Sequence, residues 1–401
     1  TSHLHADDHA SIVYDARVSG DGIETRLELD MTAEADVRAF VLTAPNRMVI
    51  DMARVGFALD PTAHGDGSGL VDAYRYGLLG EGRSRIVADL ASPVEIVSKD
   101  VTRTEEGHRL SFVLRKADLD SVLNMVATVP TPPVQRAAVA VIPAATKTDR
   151  AEGAIAVPGA GVASGPITVV IDPGHGGIDS GATSRSGDLE KNVVLEFSRT
   201  LRDKLAENPR FRPVLTRDDD RFIPLAERVA FARDNGARLF ISVHADAVKE
   251  SYVRGATVYT LSERASDARA AALASKENRV DMLAGLTMQD DDTEVADILI
   301  DLARRETKNF SILAARTLID NLRGATRLNK NPIRSAGFKV LRAPDVPSVL
   351  LELGYLSNED DAERFGDDAW RLKTAARIAA AVEGYFSTRG VAAAASPPVQ
   401  R

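Results

Sequence analysis

Cysteine is absent from this chain of 401 residues, which excludes a disulfide framework and leaves the redox compartment undetermined. Long hydrophobic runs are also absent, so no segment is predicted to cross a bilayer as a helix. The net charge of -8 argues against a nucleic-acid partner, because phosphate binding requires a basic surface. The chain begins with neither the basic nor the apolar segment of a signal peptide, so it is either cytoplasmic or shown without that peptide.

The composition is typical of a globular protein, with 44% hydrophobic and 27% charged residues. The length predicts two domains rather than one. We predict the first domain at 1–126 and the second at 166–388, with a flexible linker at 127–165 and a loose tail at 389–401. Proline, alanine and glycine dominate the linker, which offers few large side chains for burial.

Short segments of strand character fill the first domain. Residues 24–31 alternate between polar and apolar side chains, as a strand with one buried face does. A turn signal around Pro45 and Asn46 separates two further candidates. The predicted strands are 24–31, 37–42, 47–52, 85–90, 94–97 and 109–114. Their regular spacing predicts an all-β sandwich.

The pattern changes at Ile167, where a continuous apolar run predicts a strand that is buried on both faces. Apolar residues then recur every four positions from Val193 to Leu205, which predicts a helix. Further strands are predicted at 212–216, 239–243 and 347–351, and further helices at 224–234 and from about 367 to 386. This alternation predicts an α/β domain with a mainly parallel sheet and flanking helices.

Two histidines and two glutamates lie at the ends of these elements. His175, His244 and Glu352 come at or just after strand ends, and Glu190 begins a helix behind Asp188, a predicted N-cap. Functional groups of α/β sheets gather beyond the carboxyl ends of the strands, so we expect these four to meet. Two histidines and one carboxylate can hold Zn²⁺ with a fourth position open for water, and a second carboxylate can move protons.

Each of these residues also has an ordinary structural interpretation when it is taken alone. His175 can be an incidental residue of a glycine-rich turn, and His244 a packed histidine at a strand end. Glu190 can be a helix-start carboxylate that the macrodipole favours. Glu352 is harder to explain in this way, because a carboxylate that ends an apolar run pays a desolvation cost unless it is paired or ligated. Taken together, the four favour a metal site. The glycines around His175 predict a tight turn that is free of backbone strain.

The ordered motifs resemble those of the zinc-dependent N-acetylmuramoyl-L-alanine amidases, the periplasmic cell-separation family. The segments that carry the resemblance are 172–177, 190–191, 216–217, 225–228, 242–246 and 347–358. The resemblance implies that His175, Glu190 and His244 bind one zinc ion and that Glu352 is the catalytic carboxylate. It also implies that the substrate is peptidoglycan, cut at the amide between the lactyl group of N-acetylmuramic acid and L-alanine. Family members usually carry asparagine at the position of Asp246.

Two arginines lie within these motifs. Arg217 and Arg228 can bind anionic groups of the stem peptide. Structural ion pairs explain both residues at least as well.

The first domain, from about Ser11 to Ala117, resembles the AMIN domain found before such amidases. The matching segments are 15–18, 25–29, 45–51 and 83–90. The resemblance implies a β-sandwich that places the enzyme on peptidoglycan at the division septum, and therefore a periplasmic protein. The linker would let the tethered catalytic domain search nearby wall, because tethering raises the effective concentration.

A helical insertion at about 262–325 exceeds what a minimal α/β amidase needs. By the resemblance, its Glu277-Asn278-x-x-Asp281 segment belongs to a helical element that covers the active site. We expect Glu277 to occupy the open zinc position at rest, the alternative being a solvated helix residue. A LytM-domain activator protein would displace this helix, and the apolar face from Val295 to Leu302 is a candidate docking site.

Two other functions stay open at this point. A different zinc hydrolase of similar fold, such as a peptidase, is disfavoured by the ordered motif set. A non-enzymatic wall-binding module is disfavoured because all four polar site residues are present.

Overall fold

The computed structural model describes residues 11–42, 45–59, 65–79, 82–117, 165–284 and 298–395. Most of the predicted linker and the expected docking residue Val295 lie outside the described residues. Within them, a β domain precedes an α/β domain, as predicted.

Two five-stranded sheets form the N-terminal domain. In spatial order, the first contains β5 (Val55–Phe57), β1 (Ser11–Gly20), β2 (Glu24–Met31), β10 (His108–Lys116) and β9 (Val94–Arg103). The second contains β3 (Val37–Leu42), β4 (Arg47–Ala53), β8 (Arg83–Leu90), β7 (Val71–Leu78) and β6 (Gly65–Asp66). Side chains of both sheets, among them Leu29, Ile50 and Phe112, share one buried core. The predicted β-sandwich is confirmed.

The alternating segments form the strands with the most accurate bounds. Strand β2 covers the predicted residues, with Leu27 and Leu29 buried and Arg26 exposed between buried neighbours. Strand β9 instead extends to Arg103, well beyond the predicted Val97. Its outer half is mostly exposed and polar, so no alternation marks it. Pairing with β10 makes it a strand, a contact that a local pattern does not reveal.

The second domain is built on a six-stranded sheet. In spatial order, its strands are β12 (Phe211–Leu215), β11 (Ile167–Pro173), β13 (Leu239–His244), β16 (Ser348–Glu352), β14 (Ala256–Leu261) and β15 (Leu328–Ala336). The first four are mutually parallel, and β14 runs antiparallel to β16 and parallel to β15. The mainly parallel sheet is therefore confirmed, with two additional strands that the sequence pattern did not identify.

Helices cover both faces of this sheet. They are α1 (Glu190–Ala206), α2 (Leu225–Asp234), α3 (Ala268–Glu277), α4 (Val280–Leu283), α5 (Ile298–Leu322), α6 (Glu359–Phe365) and α7 (Asp368–Ala395). Helices α1, α5 and α7 pack on one face, where Val169 and Ile171 point, and α2 and α3 pack on the other, where Val170 points. No described helix combines the length and apolarity needed to cross a bilayer.

The last helix does not end near Phe386, as the sequence pattern predicted. It continues to Ala395 and includes part of the predicted loose tail. Alanine has the highest helix propensity, so the alanine-rich end of this segment can extend the helix without tertiary support.

The two domains meet in a small apolar contact. Val49 and Val87 of the N-terminal sheet pack with Ile178, Phe222 and Ala284 of the α/β domain. This contact lies next to the loop that carries His175, so the N-terminal domain touches the surroundings of the predicted site.

Candidate metal centre

The four residues predicted to form the site lie at one edge of the six-stranded sheet. His244 ends β13 and Glu352 ends the neighbouring strand β16, and the two are register partners. His175 follows β11, and Glu190 is the first residue of α1. All four are buried. The parallel strands thus bring residues from distant parts of the sequence to a common edge.

Ligand-type atoms of His175, Glu190, His244 and Glu277 lie close to one another. Glu190 Oε1 lies 3.1 Å from His175 Nε2 and 3.3 Å from His244 Nδ1. Glu277 Oε2 lies 3.8 Å from the same His175 atom and 3.6 Å from the same His244 atom. A tetrahedral zinc ion with bonds of about 2.0–2.2 Å requires its ligand atoms to be about 3.3–3.6 Å apart. The observed separations bracket that range, so these residues fit a zinc ion.

Unsatisfied polar atoms support the same assignment. Within the described part of the chain, His175 Nε2, His244 Nδ1, Glu277 Oε1 and Glu352 Oε1 are buried without a hydrogen-bond partner. Buried polar atoms of this kind normally have partners, and a ligated ion is one explanation for their lack. His175, Glu190 and His244 form the buried group suited to a metal among the described residues.

The electrostatics of the site favour a cation. Burial lowers the pKa of His175, but the carboxylates of Asp179, Glu190 and Glu277 outweigh it and raise that pKa well above its ordinary value. The same concentration of negative charge would stabilise a metal ion. Asp179 also orients the ring, because its Oδ2 lies 2.7 Å from His175 Nδ1. A proton held on Nδ1 leaves Nε2 free to face a metal.

The loop around His175 is strained, contrary to the expectation from its glycines. His175 itself has a φ of 59°, in the left-handed region that favours glycine. Gly174 serves a packing role instead, since a Cβ there would lie 2.4 Å from the His244 ring. Strain of this kind persists where surrounding contacts impose it, and it is common at functional sites.

Glu190 is held by backbone groups rather than by a helix cap. Its Oε2 accepts a hydrogen bond from the Ala182 N–H at 2.8 Å, and its Oε1 accepts one from the Ala245 N–H at 2.9 Å. The predicted N-cap, Asp188, is wrong: Leu189 holds that position without a side-chain cap. Asp188 accepts hydrogen bonds from the Ser184 and Ser186 hydroxyls, which closes the preceding turn.

Glu352 has one oxygen anchored and the other free of protein partners. Its Oε2 accepts a hydrogen bond from the Asp246 N–H at 3.0 Å, while Oε1 has none among the described residues. Burial, together with the carboxylates of Asp246 and Glu190, raises the pKa of Glu352 well above its ordinary value. A fixed carboxyl group with a raised pKa is suited to accept and return a proton.

The family model for N-acetylmuramoyl-L-alanine amidase matches residues 169–384, and the AMIN domain model matches residues 15–114. The first match covers more than half of the chain and contains every residue of the candidate site. The chain belongs to the N-acetylmuramoyl-L-alanine amidase family. The predicted family and the presence of an AMIN domain are therefore confirmed.

Curated relatives align with this amidase over one domain or over both. N-acetylmuramoyl-L-alanine amidase AmiA of Escherichia coli (strain K12) is 40% identical over 230 residues, which cover 57% of this chain and 79% of the relative. N-acetylmuramoyl-L-alanine amidase AmiC of Neisseria meningitidis serogroup B is 30% identical over 383 residues, or 93% of this chain and 89% of the relative. The solved structure of N-acetylmuramoyl-L-alanine amidase AmiC2 of Nostoc punctiforme is 28% identical, with a TM-score of 0.41, and covers 56% of this chain and 99% of its own.

Arg217 and Arg228 face the interior of the amidase. They are 0% and 3% exposed, and burial lowers the pKa of Arg217 to about 10. Arg217 donates to the carbonyls of Pro173 and Gly174, and Arg228 donates to the His175 carbonyl at 2.8 Å. Arg228 also forms a buried ion pair with Asp172, as the structural alternative expected, and both arginines hold the loop that carries His175.

Sequence reasoning missed several supporting residues of the site. Asp172 accepts hydrogen bonds from Thr216, Arg228 and Ser242, and so joins three elements beneath the His175 loop. Asp179 was missed as well. Both aspartates stand inside or beside the motif segments, but their roles depend on contacts between strands, which no local pattern records.

The segment after Glu277 is fixed by its own side chains. Asn278 donates to the Gly337 carbonyl at 2.8 Å, and Asp281 accepts from the Leu225 N–H at 3.1 Å. Lys276 pairs with the buried Asp246. Glu277 is therefore a buried residue of a well-anchored helix end rather than a solvated one.

Proposed function

We propose that this amidase is zinc-dependent and that His175, Glu190 and His244 hold the ion. The observation that carries the proposal is the convergence of His175 Nε2, Glu190 Oε1 and His244 Nδ1 at separations suited to a tetrahedral ion. The bond cut would be the amide between the lactyl group of N-acetylmuramic acid and L-alanine in peptidoglycan.

Glu352 and Asp179 would each carry out a separate part of the proton chemistry. A bound zinc ion would act as a Lewis acid and lower the pKa of a water molecule toward about 7. Glu352 would accept the proton of the attacking water at Oε1 and deliver it to the leaving nitrogen, while the Asp246 N–H holds Oε2 in place. Asp179 would keep a proton on His175 Nδ1 throughout.

The described arrangement corresponds to a resting state in this proposal. Glu277 Oε2 lies 3.8 Å from His175 Nε2 and 3.6 Å from His244 Nδ1, close enough to contact an ion that the two histidines would hold. A carboxylate in that position excludes water and substrate. The enzyme would therefore be autoinhibited until α3, which carries Glu277, moves away.

Activation would shift the population from this covered state to an uncovered one. A LytM-domain activator that binds the helical insertion would supply the necessary difference in affinity between the two states. A shift from mostly covered to mostly uncovered enzyme requires about 10⁴-fold tighter binding to the uncovered state. The proposed docking face begins outside the described residues, at Val295.

The location follows from the substrate. Peptidoglycan lies outside the cytoplasm, so the proposal places the enzyme in the periplasm. The AMIN domain would bring it to the wall at the division septum, and its attachment to the catalytic domain would raise the effective concentration of the substrate.

One experiment tests zinc dependence and autoinhibition together. Metal content and hydrolysis of purified peptidoglycan are measured on wild type, His175→Ala and Glu277→Ala, with the exposed Glu263→Ala as a matched control. We expect His175→Ala to lose zinc and activity, and Glu277→Ala to keep zinc and gain basal activity. An unchanged basal activity in Glu277→Ala would refute autoinhibition, and full zinc content in His175→Ala would refute the proposed metal site.

Product analysis tests the bond. An amidase of this specificity releases intact stem peptides and leaves the glycan strands uncut. Cleavage within the stem peptide would contradict the proposal.

A further inference from the structure

Two arginines of the N-terminal domain lie almost buried on its second sheet. Arg47 of β4 and Arg85 of β8 are 7% and 5% exposed. Each pairs with an aspartate directly opposite on the neighbouring strand. Arg85 Nε lies 2.5 Å from Asp51 Oδ1, and Arg47 Nε lies 3.1 Å from Asp89 Oδ1. These pairs fix both guanidinium groups and leave further N–H donors for other partners.

Those donors reach the end of α4 in the catalytic domain. Arg85 Nη1 donates to the Ala284 carbonyl at 2.7 Å, and Arg47 Nη1 donates to the Met282 carbonyl. The last carbonyls of a helix lack partners within it, and basic side chains can satisfy them. The N-terminal domain thus caps a helix of the other domain. That helix begins at Val280, three residues after Glu277, the residue proposed to block the metal site.

Apolar and backbone contacts reinforce this cap. Ala284 is fully buried against the same sheet. The Leu78 carbonyl accepts a hydrogen bond from the Phe222 N–H at 3.1 Å. Gly77 lies so close to the His175 loop that a Cβ would be 2.2 Å from the Ile178 nitrogen. One sheet face therefore touches both the loop of a metal ligand and the segment behind the blocking carboxylate.

We infer that this face of the N-terminal domain is an interaction surface whose partner is the blocking segment of the same chain. By holding α4 it keeps Glu277 in the metal site. The inference rests on the proposed autoinhibition and adds a second anchor to the contacts of Lys276, Asn278 and Asp281. A ligand that occupies this face competes with α4, so binding there and opening of the active site are coupled.

The test disturbs the contact between the two domains of the intact chain with a single methyl group. Gly77→Ala introduces a Cβ that meets the Ile178 backbone, whereas the control Gly22→Ala introduces one with nothing within 4 Å. A second pair compares Arg47→Ala/Arg85→Ala with Arg109→Ala, whose arginine pairs with Asp30 on the other sheet. Hydrogen exchange of the backbone amides at 268–284 is measured in each variant, together with basal amidase activity.

We expect exchange in α4 to rise by about tenfold in Gly77→Ala and in the double arginine variant, with basal activity raised severalfold. Both controls should match wild type. Exchange in β2 and β10 should stay slow in every variant, which shows that the sandwich remains folded. Wild-type exchange in α4 of both Gly77→Ala and the arginine variant would overturn the inference.

The Glu277→Ala variant distinguishes this inference from the proposed function. One outcome is that Glu277→Ala gains activity while hydrogen exchange in α4 stays at the wild-type rate in the variants that disturb the domain contact. Autoinhibition then stands, and the second anchor is refuted. If exchange in α4 rises as expected but Glu277→Ala gains no activity, the surface holds the segment and the blocking role of Glu277 is refuted.

Discussion

The two domains bury polar groups in different ways. In the described part of the N-terminal domain, three buried polar atoms have no hydrogen-bond partner. They are Thr104 Oγ1, His108 Nδ1 and Ser111 Oγ, which lie along one hairpin. The catalytic domain has such atoms at several hydroxyl groups, but the atoms of its His175, His244, Glu277 and Glu352 that lack partners lie at one edge of the sheet. A single unpartnered atom is a local cost, whereas histidine and glutamate atoms that converge form a site suited to a ligand.

Buried arginines show the same contrast. Arg47 and Arg85 pair with aspartates across neighbouring strands and then reach another domain. Arg217 donates mainly to backbone carbonyls of loops within its own domain. The first arrangement joins two separately folded parts, and the second fixes a loop inside one of them. Burial alone therefore does not reveal the role of an arginine.

The largest effect that tests this comparison is expected when one histidine in each domain is replaced by alanine. His244→Ala should reduce bound zinc and amidase activity to background, because a neutral imidazole is a ligand that a methyl group cannot replace. His108→Ala in the N-terminal domain should change neither. Metal analysis of both purified variants checks this, and zinc retained by His244→Ala would show that the convergent unpartnered atoms are not a metal site.

The next largest effect is expected at Glu352, the proposed proton acceptor. Glu352→Gln should lower the turnover of peptidoglycan by about 10²–10⁴-fold, since it removes the proton acceptor. Zinc content should stay at the wild-type level, which separates proton transfer from metal binding. The exposed Glu363→Gln serves as the control, and equal activity in the two variants would contradict the role of Glu352.

A smaller effect is expected one contact away from the metal. Asp179→Asn should weaken zinc affinity by about 10–100-fold, because the amide no longer fixes the proton on His175 Nδ1. Competition with a chelator measures the affinity directly. Asp203→Asn, at an exposed position of α1, should leave it unchanged. If Asp179→Asn binds zinc with wild-type affinity, the contact between Asp179 and His175 serves only packing.

The smallest effect concerns the pair between Lys276 and Asp246. Lys276→Gln should raise basal activity by about threefold to tenfold, since a partly exposed ion pair contributes roughly 1 kcal/mol. Assays of Lys276→Gln and of the exposed Lys308→Gln, run side by side, test it. Equal basal activities would mean that the pair does not hold α3.

Sequence patterns identified the helices and strands whose apolar residues recur at regular local spacing. The apolar run at 167–171 predicted β11, and the spacing from Val193 to Leu205 predicted α1. Strands β14 and β15 were missed because polar and apolar residues do not clearly alternate in this part of the chain. Both strands are defined by pairing with their neighbours in the sheet. The N-cap at Asp188 was predicted from residue type, but hydrogen bonds with Ser184 and Ser186 occupy that side chain instead.

The candidate site shows which features a sequence predicts and which it does not. Its residue types and their order predicted His175, Glu190, His244 and Glu352 as one group, and the structure brings them together. The strain at His175 was not predicted, because the flanking glycines suggested that they would absorb it. The interior position of Arg217 and Arg228 was left open, since a sequence does not say which way a side chain faces.

The amino-acid sequence by itself determined the fold class, the family and the residue types that gather at the candidate site, because these depend on periodicity and on ordered motifs. Tertiary structure alone decided which atoms face one another: Glu277 against the two histidines, Asp179 behind His175, and Arg47 and Arg85 against the end of α4. These contacts join residues far apart in the chain or depend on how a loop turns. They arise only when sheets and domains pack, and local patterns carry no record of that packing.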